Sequence, residues 1–243
     1  MIPKIIHYSW IGNDMPDTVK ERVNSWKETL PDWKFKLWDE SNYDFTKFEF
    51  AKRKYQKKEW AYATDELRFD VVNRYGGFYF DTDMIIKKDL SEFLNKRMVW
   101  GFMYDNSLLT SFFGAEAGHP FFKVLLDYYS DPKNMDALLN MTNNPIVTNI
   151  FCEEFKNTFR ANGTYQLLGQ EQKIEIYPRD YFCFPSHNGN ANYAEHLFDN
   201  SWGTSRQGFY GLSKKLFKKI MPVFYGDIAN KRGIKYSKQF FED

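Results

Sequence analysis

Ala61-Tyr62-Ala63-Thr64-Asp65-Glu66-Leu67-Arg68-Phe69-Asp70-Val71-Val72-Asn73-Arg74-Tyr75-Gly76-Gly77-Phe78-Tyr79-Phe80-Asp81-Thr82-Asp83 is the stretch that decides the fold. It reads as a helix carrying Asp65 and Arg68, a Gly76-Gly77 stop, a short apolar strand from Phe78 to Phe80, and two carboxylates at the strand's carboxyl end. On a regular strand residues i and i+2 share one face but stand roughly 6.5 Å apart, so a departure from β geometry at Thr82 is expected to draw Asp81 and Asp83 together on one cation. Hard divalent ions take carboxylate and water oxygens and leave positions for substrate phosphates. The pair thus predicts a diphosphate ligand.

Asp65 and Arg68 lie on one helical face, three residues apart. Their helix is apolar nearly all round, through Trp60, Ala61, Ala63, Leu67, Phe69, Val71, Val72 and Tyr75, so it is expected to be buried. A buried guanidinium needs a carboxylate or phosphate for its fork of donors. The simpler alternative is a structural Asp65-Arg68 ion pair.

Working outward, Ile2 to Tyr8 is a buried strand, Asp17 caps a helix that runs to Leu30, and Lys34 to Trp38 is a second strand. Phe45 to Tyr55 is helical. Beyond Met84, Ile85-Ile86, Met98 to Tyr104 and Ser111 to Ala115 read as strands, Pro120 to Tyr129 and Pro145 to Phe159 as helices, and Gln166 to Phe184 holds one or two strands. Alternating strands and helices argue an α/β fold with a mostly parallel central sheet flanked by helices. Ligands then sit beyond the strands' carboxyl ends, where Trp10, Asp39 and Asp81 to Asp83 fall. The Asn-, Gly- and Ser-rich stretch from Ser186 to Gly211 reads as a polar loop carrying His196 and Trp202.

The chain of 243 residues, 43% hydrophobic, supports one sizeable core, read as a single domain over 1–243 with a helical C-terminal segment from about 212. A formal charge of +1 gives no field that recruits nucleic acid. No stretch reaches the roughly 18 to 20 apolar residues of a bilayer span, and the N-terminus lacks an apolar signal-peptide core. Cys152 and Cys183 have no metal or redox spacing, so a cytoplasmic location is expected. Leu212 to Val223 sets Leu212, Leu216, Phe217 and Ile220 against Lys214, Lys215, Lys218 and Lys219. That pattern fits either a solvated helix face or peripheral contact with the inner face of an anionic membrane.

Ala63-Thr64-Asp65-Glu66-Leu67-Arg68 followed by Gly76-Gly77-Phe78-Tyr79-Phe80-Asp81-Thr82-Asp83 resembles the signature of glycosyltransferase family 32, the DXD-motif sugar transferases. That group includes yeast-type initiating mannosyltransferases and bacterial capsule transferases, and is related to the clostridial glucosylating toxins. Ile2 to Gly12 resembles the family's first strand, Leu30 to Asp39 its second, and His196 with Ser201-Trp202 its closing segment. The resemblance implies a GT-A fold and a retaining, Mn2+- or Mg2+-dependent transfer of a sugar from a nucleotide-diphosphate donor to a hydroxyl of a saccharide or glycolipid. A UDP-sugar is the favoured donor and GDP-mannose the second. Asp65, Arg68, Asp81 and Asp83 would be catalytic, and Trp10, Thr64, Tyr79, Ser201 and Trp202 would bind the donor. Asp83 would hold the metal directly and Asp81 indirectly. His196 is a further candidate ligand, although the toxins use a glutamate and a serine in this region. His7 reads as a hydrogen-bonded core residue, and Asp39 and Asn42 as candidate nucleotide contacts.

Two other classes are open. Phe78 to Asp83 superficially matches the haloacid dehalogenase phosphohydrolase motif, which also requires a downstream lysine and an acidic pair. A catalytically silent sugar-nucleotide binder is the third reading.

Overall fold

The computed structural model describes residues 1–199, 217, 218 and 220–240. Its main sheet has seven strands in the order β2-β1-β3-β6-β5-β8-β7: β1 Ile5–Ser9, β2 Lys34–Trp38, β3 Gly77–Phe80, β5 Met98–Tyr104, β6 Ser107–Ala115, β7 Gln166–Leu168 and β8 Ile174–Tyr177. β1, β2, β3, β5 and β8 run one way and β6 and β7 the other, so the sheet is mostly parallel. The fold is α/β, as expected, with a mostly parallel central sheet.

Helices cover both faces. The core splits accordingly, because alternate residues of each strand point to opposite sides. Tyr79, Trp100 and Phe113 face the layer that contains α4 (Asp65–Tyr75), α5 (Phe121–Ser130) and α7 (Asn143–Glu154). Phe78, Phe80 and Phe112 face α1 (Asp17–Thr29) and α8 (Arg179–Phe182). Aromatic rings fill both layers, Trp100 stacking on Phe113 at 4.6 Å and Phe112 on Phe182 at 4.0 Å.

The stretch 61–83 folds largely as its residues dictate, with one change. The apolar helix is divided at Thr64 into α3 (Trp60–Ala63) and α4. α4 ends on Gly76 at φ 63°, where the amide donates to Val72 O. At Gly77 (φ 103°) an added Cβ would lie 2.6 Å from Ile5 O, so β3 runs too close to β1 for any larger residue. β3 stops at Phe80, and a turn closed by Met84 N–H to Asp81 O (3.1 Å) follows.

Other boundaries shift. Pro16, not Asp17, is the N-cap of α1, and Asp17 instead pairs with Lys20 at 3.0 Å. The helix expected at Phe45 to Tyr55 is α2, Glu49–Gln56. A short α6 (Met135–Asn140) precedes α7. β4 (Met84–Ile86) leaves the main sheet and pairs antiparallel with β9 (Ala194–His196) inside the stretch read as a loop. The C-terminal helix α9, Pro222–Lys238, buries Gly226, Asn230, Gly233 and Ser237; of Leu212 to Val223, residues 212–216 and 219 lie outside the described set.

His7 is a brace of this framework. It is fully buried, its Nε2–H donates to Gly76 O (2.8 Å), and its Nδ1 accepts from the Trp38 indole (3.1 Å). Burial, with Lys36 and Arg74 adding, lowers its pKa to about 4 despite the Gly76 bond. A base depressed in the folded state is charged first in the unfolded chain, so stability is complete above about pH 6.5 and falls as pH drops toward 4. The loss should approach about 3 kcal/mol. Urea unfolding of His7→Gln, which keeps one donor and one acceptor, is expected to show a pH slope flatter by about that amount; equal slopes would contradict it.

Candidate active site

Parallel pairing brings the carboxyl ends of β1 and β3 level. His7 pairs with Tyr79, which sets Ser9 beside Asp81, and Asp81 N–H donates to Ser111 O at 2.9 Å. Ser9, Asp81 and Ser111 thus line the mouth of one cleft, together with Thr64, Arg68 and Asp83.

The departure from β geometry at Thr82 turns Asp83 back toward Asp81. The β4-β9 ribbon does the rest: Met84 pairs with His196, and Leu197 N–H donates to Asp83 O (2.9 Å), bringing in an imidazole from more than a hundred residues away. Asp81, Asp83 and His196 each place one ligand atom within 4.8 Å of the others. Two carboxylates suit a hard divalent cation. His196 is more constrained. Its Nε2 faces Asp83 Oδ1 at 3.4 Å, while its Nδ1 accepts the Phe198 N–H at 3.0 Å. A neutral ring so held carries its proton on Nε2. His196 can ligate through that nitrogen only after the Phe198 bond gives way and the proton moves to Nδ1. The donor set fits a cation chiefly through its carboxylates.

Arg68 is held from several sides. Its Nη2 lies 2.9 Å from Asp65 Oδ1, its Nη1 donates to Thr110 O (2.9 Å) and sits 3.5 Å from Asp81 Oδ2, and its plane lies over the Tyr79 ring at 5.1 Å. Asp65 also accepts from Asn143 Nδ2 (2.9 Å), and Asn143 Oδ1 from the Tyr129 hydroxyl, so a buried chain sets the guanidinium's direction. Burial opposes charge on both partners. It pushes the Asp65 carboxyl up to about 7 against the pull of Arg68. On Arg68 burial is outweighed, mainly by Asp81, and the guanidinium is held above its ordinary value.

The ion pair and the cleft-facing role are therefore not alternatives. Asp65 is buried behind Arg68 and does not line the cleft, whereas Arg68 links that pair to Asp81. Tyr79 shares Asp81's face but is 1% exposed, with its hydroxyl 2.9 Å from Ser9 Oγ; it lies beneath the cleft rather than on it, because α4 covers that face. Trp10 follows β1 with its indole N–H on Asn13 O (2.8 Å) and lies outside the cleft lining. Asp39 and Asn42 are taken up in a local turn: Asp39 accepts from Ser41, and Asn42 bonds to Asp39 N and Leu37 O. Ser201 and Trp202 lie outside the described residues.

Sequence reasoning missed Asn144, Met103 and Phe198, which complete the wall. Asn144 Oδ1 accepts from Thr110 N (3.0 Å) and Oγ1 (2.5 Å). The Asn143-Asn144-Pro145 opening of a helix was the available signal.

Residues 16–101 match the family model of the glycosyltransferase sugar-binding region containing a DXD motif. Over that segment, which holds the Asp81-Thr82-Asp83 motif, the chain is similar to the DXD-containing glycosyltransferases. The chain is 28% identical over 183 residues to mannosyl phosphorylinositol ceramide synthase SUR1 of Saccharomyces cerevisiae, covering 69% of this chain and 46% of that protein. It is 23% identical over 211 residues to the CSH1 synthase of the same yeast, covering 81% and 56%. An uncharacterized glycosyltransferase, L373, of Acanthamoeba polyphaga mimivirus is 24% identical over 223 residues, covering 81% and 86%. The chain spans about half the length of the curated yeast relatives it matches. Among solved structures, the PaToxG glycosyltransferase aligns at TM-score 0.53 and 18% identity, covering 64% of this chain and 70% of that one, a likeness of fold alone.

Proposed function

We propose that this DXD glycosyltransferase moves a sugar from a nucleoside-diphosphate donor to a hydroxyl of a saccharide or glycolipid, with Mn2+ or Mg2+ at Asp83 and Asp81. The observation that carries this reading is the meeting of Asp81, Asp83 and the Arg68 guanidinium in one cleft at the carboxyl ends of parallel strands. When bound, the cation supplies Lewis-acid stabilisation of the charge that grows on the leaving phosphate. Arg68, fixed by Asp65 and Thr110, adds a preorganised donor to the same oxygens. Thr64, Ser9, Ser111 and Asn144 offer polar groups to the sugar from the cleft wall. Trp10, Tyr79, Ser201 and Trp202 remain donor contacts by family resemblance; for Tyr79 the burial described above makes that contact indirect.

The transfer is proposed to retain anomeric configuration by same-face attack. The bond from the anomeric carbon to the phosphate oxygen breaks, its electron pair stays on the phosphate, and the acceptor oxygen bonds to that carbon while its proton passes to the departing phosphate. A double displacement needs a free carboxylate at the anomeric carbon, and Asp65 is committed to Arg68 and Asn143.

The toxin resemblance favours a UDP-sugar, whereas the names of the yeast relatives favour a mannosyl donor and a phosphoinositol-ceramide acceptor. A lipid-linked acceptor gives meaning to the exposed Ile220, Met221 and Phe224, and we assign this apolar face to peripheral contact with the inner side of a membrane from the cytoplasm. No helix among the described residues is long and apolar enough to cross a membrane. The phosphohydrolase reading is disfavoured because no lysine lines the cleft among the described residues.

A thermal-shift panel of UDP- and GDP-sugars tests the donor. A ligand bound by the native state at 100 times its Kd adds about 2.7 kcal/mol of stability. The expected result is a rise in Tm with one donor class that needs Mn2+; no rise with any nucleotide sugar would contradict the proposal. Donor binding without hydrolysis or transfer across a wide acceptor panel would favour the silent binder.

A further inference from the structure

We infer that Arg22 of α1 is the positioning residue of the cation-binding turn, an inference that rests on the metal reading of Asp81 and Asp83. Arg22 is not adjacent to the motif in sequence, yet its Nη1 donates to Thr82 O at 2.7 Å and its Nη2 to Asp199 Oδ2 at 2.6 Å. Asp199 in turn donates its N–H to Asp83 Oδ2 at 3.2 Å. The guanidinium therefore grips the turn at the Thr82 carbonyl and, through Asp199, at the Asp83 carboxylate.

Three physical points give this grip a purpose. Asp81 and Asp83 carry like charge within 4.8 Å of one another, so without a cation they repel and favour opening the turn. Thr82 lies between the two carboxylates in the turn that follows β3, and its carbonyl is the atom Arg22 holds. Phe198, between His196 and Asp199, has φ 56°, a left-handed conformation costly for a bulky residue that persists only where its surroundings enforce it. The Arg22–Asp199 pair on one side and the Phe198 N–H to His196 Nδ1 bond on the other supply that enforcement. The rigid fork of a guanidinium suits a carbonyl and a carboxylate taken together, which a lysine cannot span.

The ion pair itself is partly exposed, Asp199 at 41%, and contributes little as a charge pair. The consequence lies in the geometry offered to the cation. Removing a support of this kind costs 10- to 100-fold in metal affinity in known metal sites. The sign separates two accounts of Arg22. As a mere nearby positive charge it repels a cation, and its loss would tighten binding; as a positioning group its loss weakens binding.

The experiment is titration of the full chain with Mn2+ alone, followed by electron paramagnetic resonance of the free ion, on wild type, Arg22→Met, Arg22→Lys and Asp83→Asn, with Tm recorded for each. The expected result is a Kd about 10- to 100-fold weaker for Arg22→Met, an intermediate value for Arg22→Lys with wild-type Tm, and no specific binding for Asp83→Asn. Wild-type or tighter Mn2+ binding by Arg22→Met overturns the inference while Asp83→Asn still loses the ion. If Arg22→Met does not fold, Arg22→Lys decides alone: a wild-type Kd overturns it. Undiminished binding by Asp83→Asn would instead remove the metal reading itself.

Discussion

Asp83→Asn is expected to reduce metal-dependent sugar transfer by about 1,000-fold or more while the fold remains intact. Lewis-acid stabilisation of a departing phosphate is worth several kcal/mol, and each 1.36 kcal/mol is a factor of ten in rate. Asparagine keeps the shape of the side chain and its acceptance of the Asp199 N–H, but has no anionic oxygen for the cation. Excess Mn2+ should not restore the rate. Stability without metal should be unchanged or slightly higher, because one of two like charges has gone. Initial rates with the donor identified by thermal shift, alongside Tm, measure both effects. Activity within tenfold of wild type would contradict a direct metal role for Asp83.

Arg68→Met has the largest expected effect on stability, and a second substitution separates its two roles. Removing the guanidinium leaves the Asp65 carboxylate, itself 5% exposed, with only the Asn143 amide as partner. Breaking a buried pair from one side typically costs about 3 to 5 kcal/mol. The cost should depend on pH. A carboxyl whose folded pKa is raised contributes full stability below its unfolded value of 3.8 and loses it as pH rises, so Arg68→Met should be least impaired near pH 5 and most near pH 8. Adding Asp65→Asn removes the stranded charge and should recover most of the stability. Activity should not follow: loss of one preorganised donor to a developing oxyanion costs about 100- to 1,000-fold in kcat, and asparagine at 65 does not replace it. Chemical denaturation at the two pH values and rates on both variants test this. Restored transfer in the double variant would show that Arg68 serves only to neutralise Asp65.

What could be read along the chain was what local chemistry fixes. Gly76-Gly77, the apolar run from Phe78 to Phe80 and the i, i+2 carboxylates each impose a local geometry, and together they force helix, strand and turn in that order. Contacts made across long stretches of chain leave no such local mark. His196 reaches Asp83 through a three-residue strand in a stretch whose Asn, Gly and Ser content reads as loop, and its pairing with β4 has no alternating signature. Asn143 meets Asp65, and Arg22 meets Thr82, only because the sheet and helices bring distant segments together. Tyr79 shows the opposite limit: the period of two places it on Asp81's face, but only the packing of α4 decides that this face is covered.

The central claim is that a cation and Arg68 act together on the phosphates of a nucleotide donor at the end of β3. It is tested most directly by an anomalous difference map at the manganese edge, from crystals of this chain grown with Mn2+ and the nucleoside diphosphate selected by thermal shift. The account predicts one Mn2+ peak bonded to the Asp83 carboxylate, close to Asp81, with a phosphate oxygen bridging the ion and the Arg68 guanidinium. Ordered diphosphate bound elsewhere, or Mn2+ that leaves both Asp81 and Asp83 untouched, would contradict it.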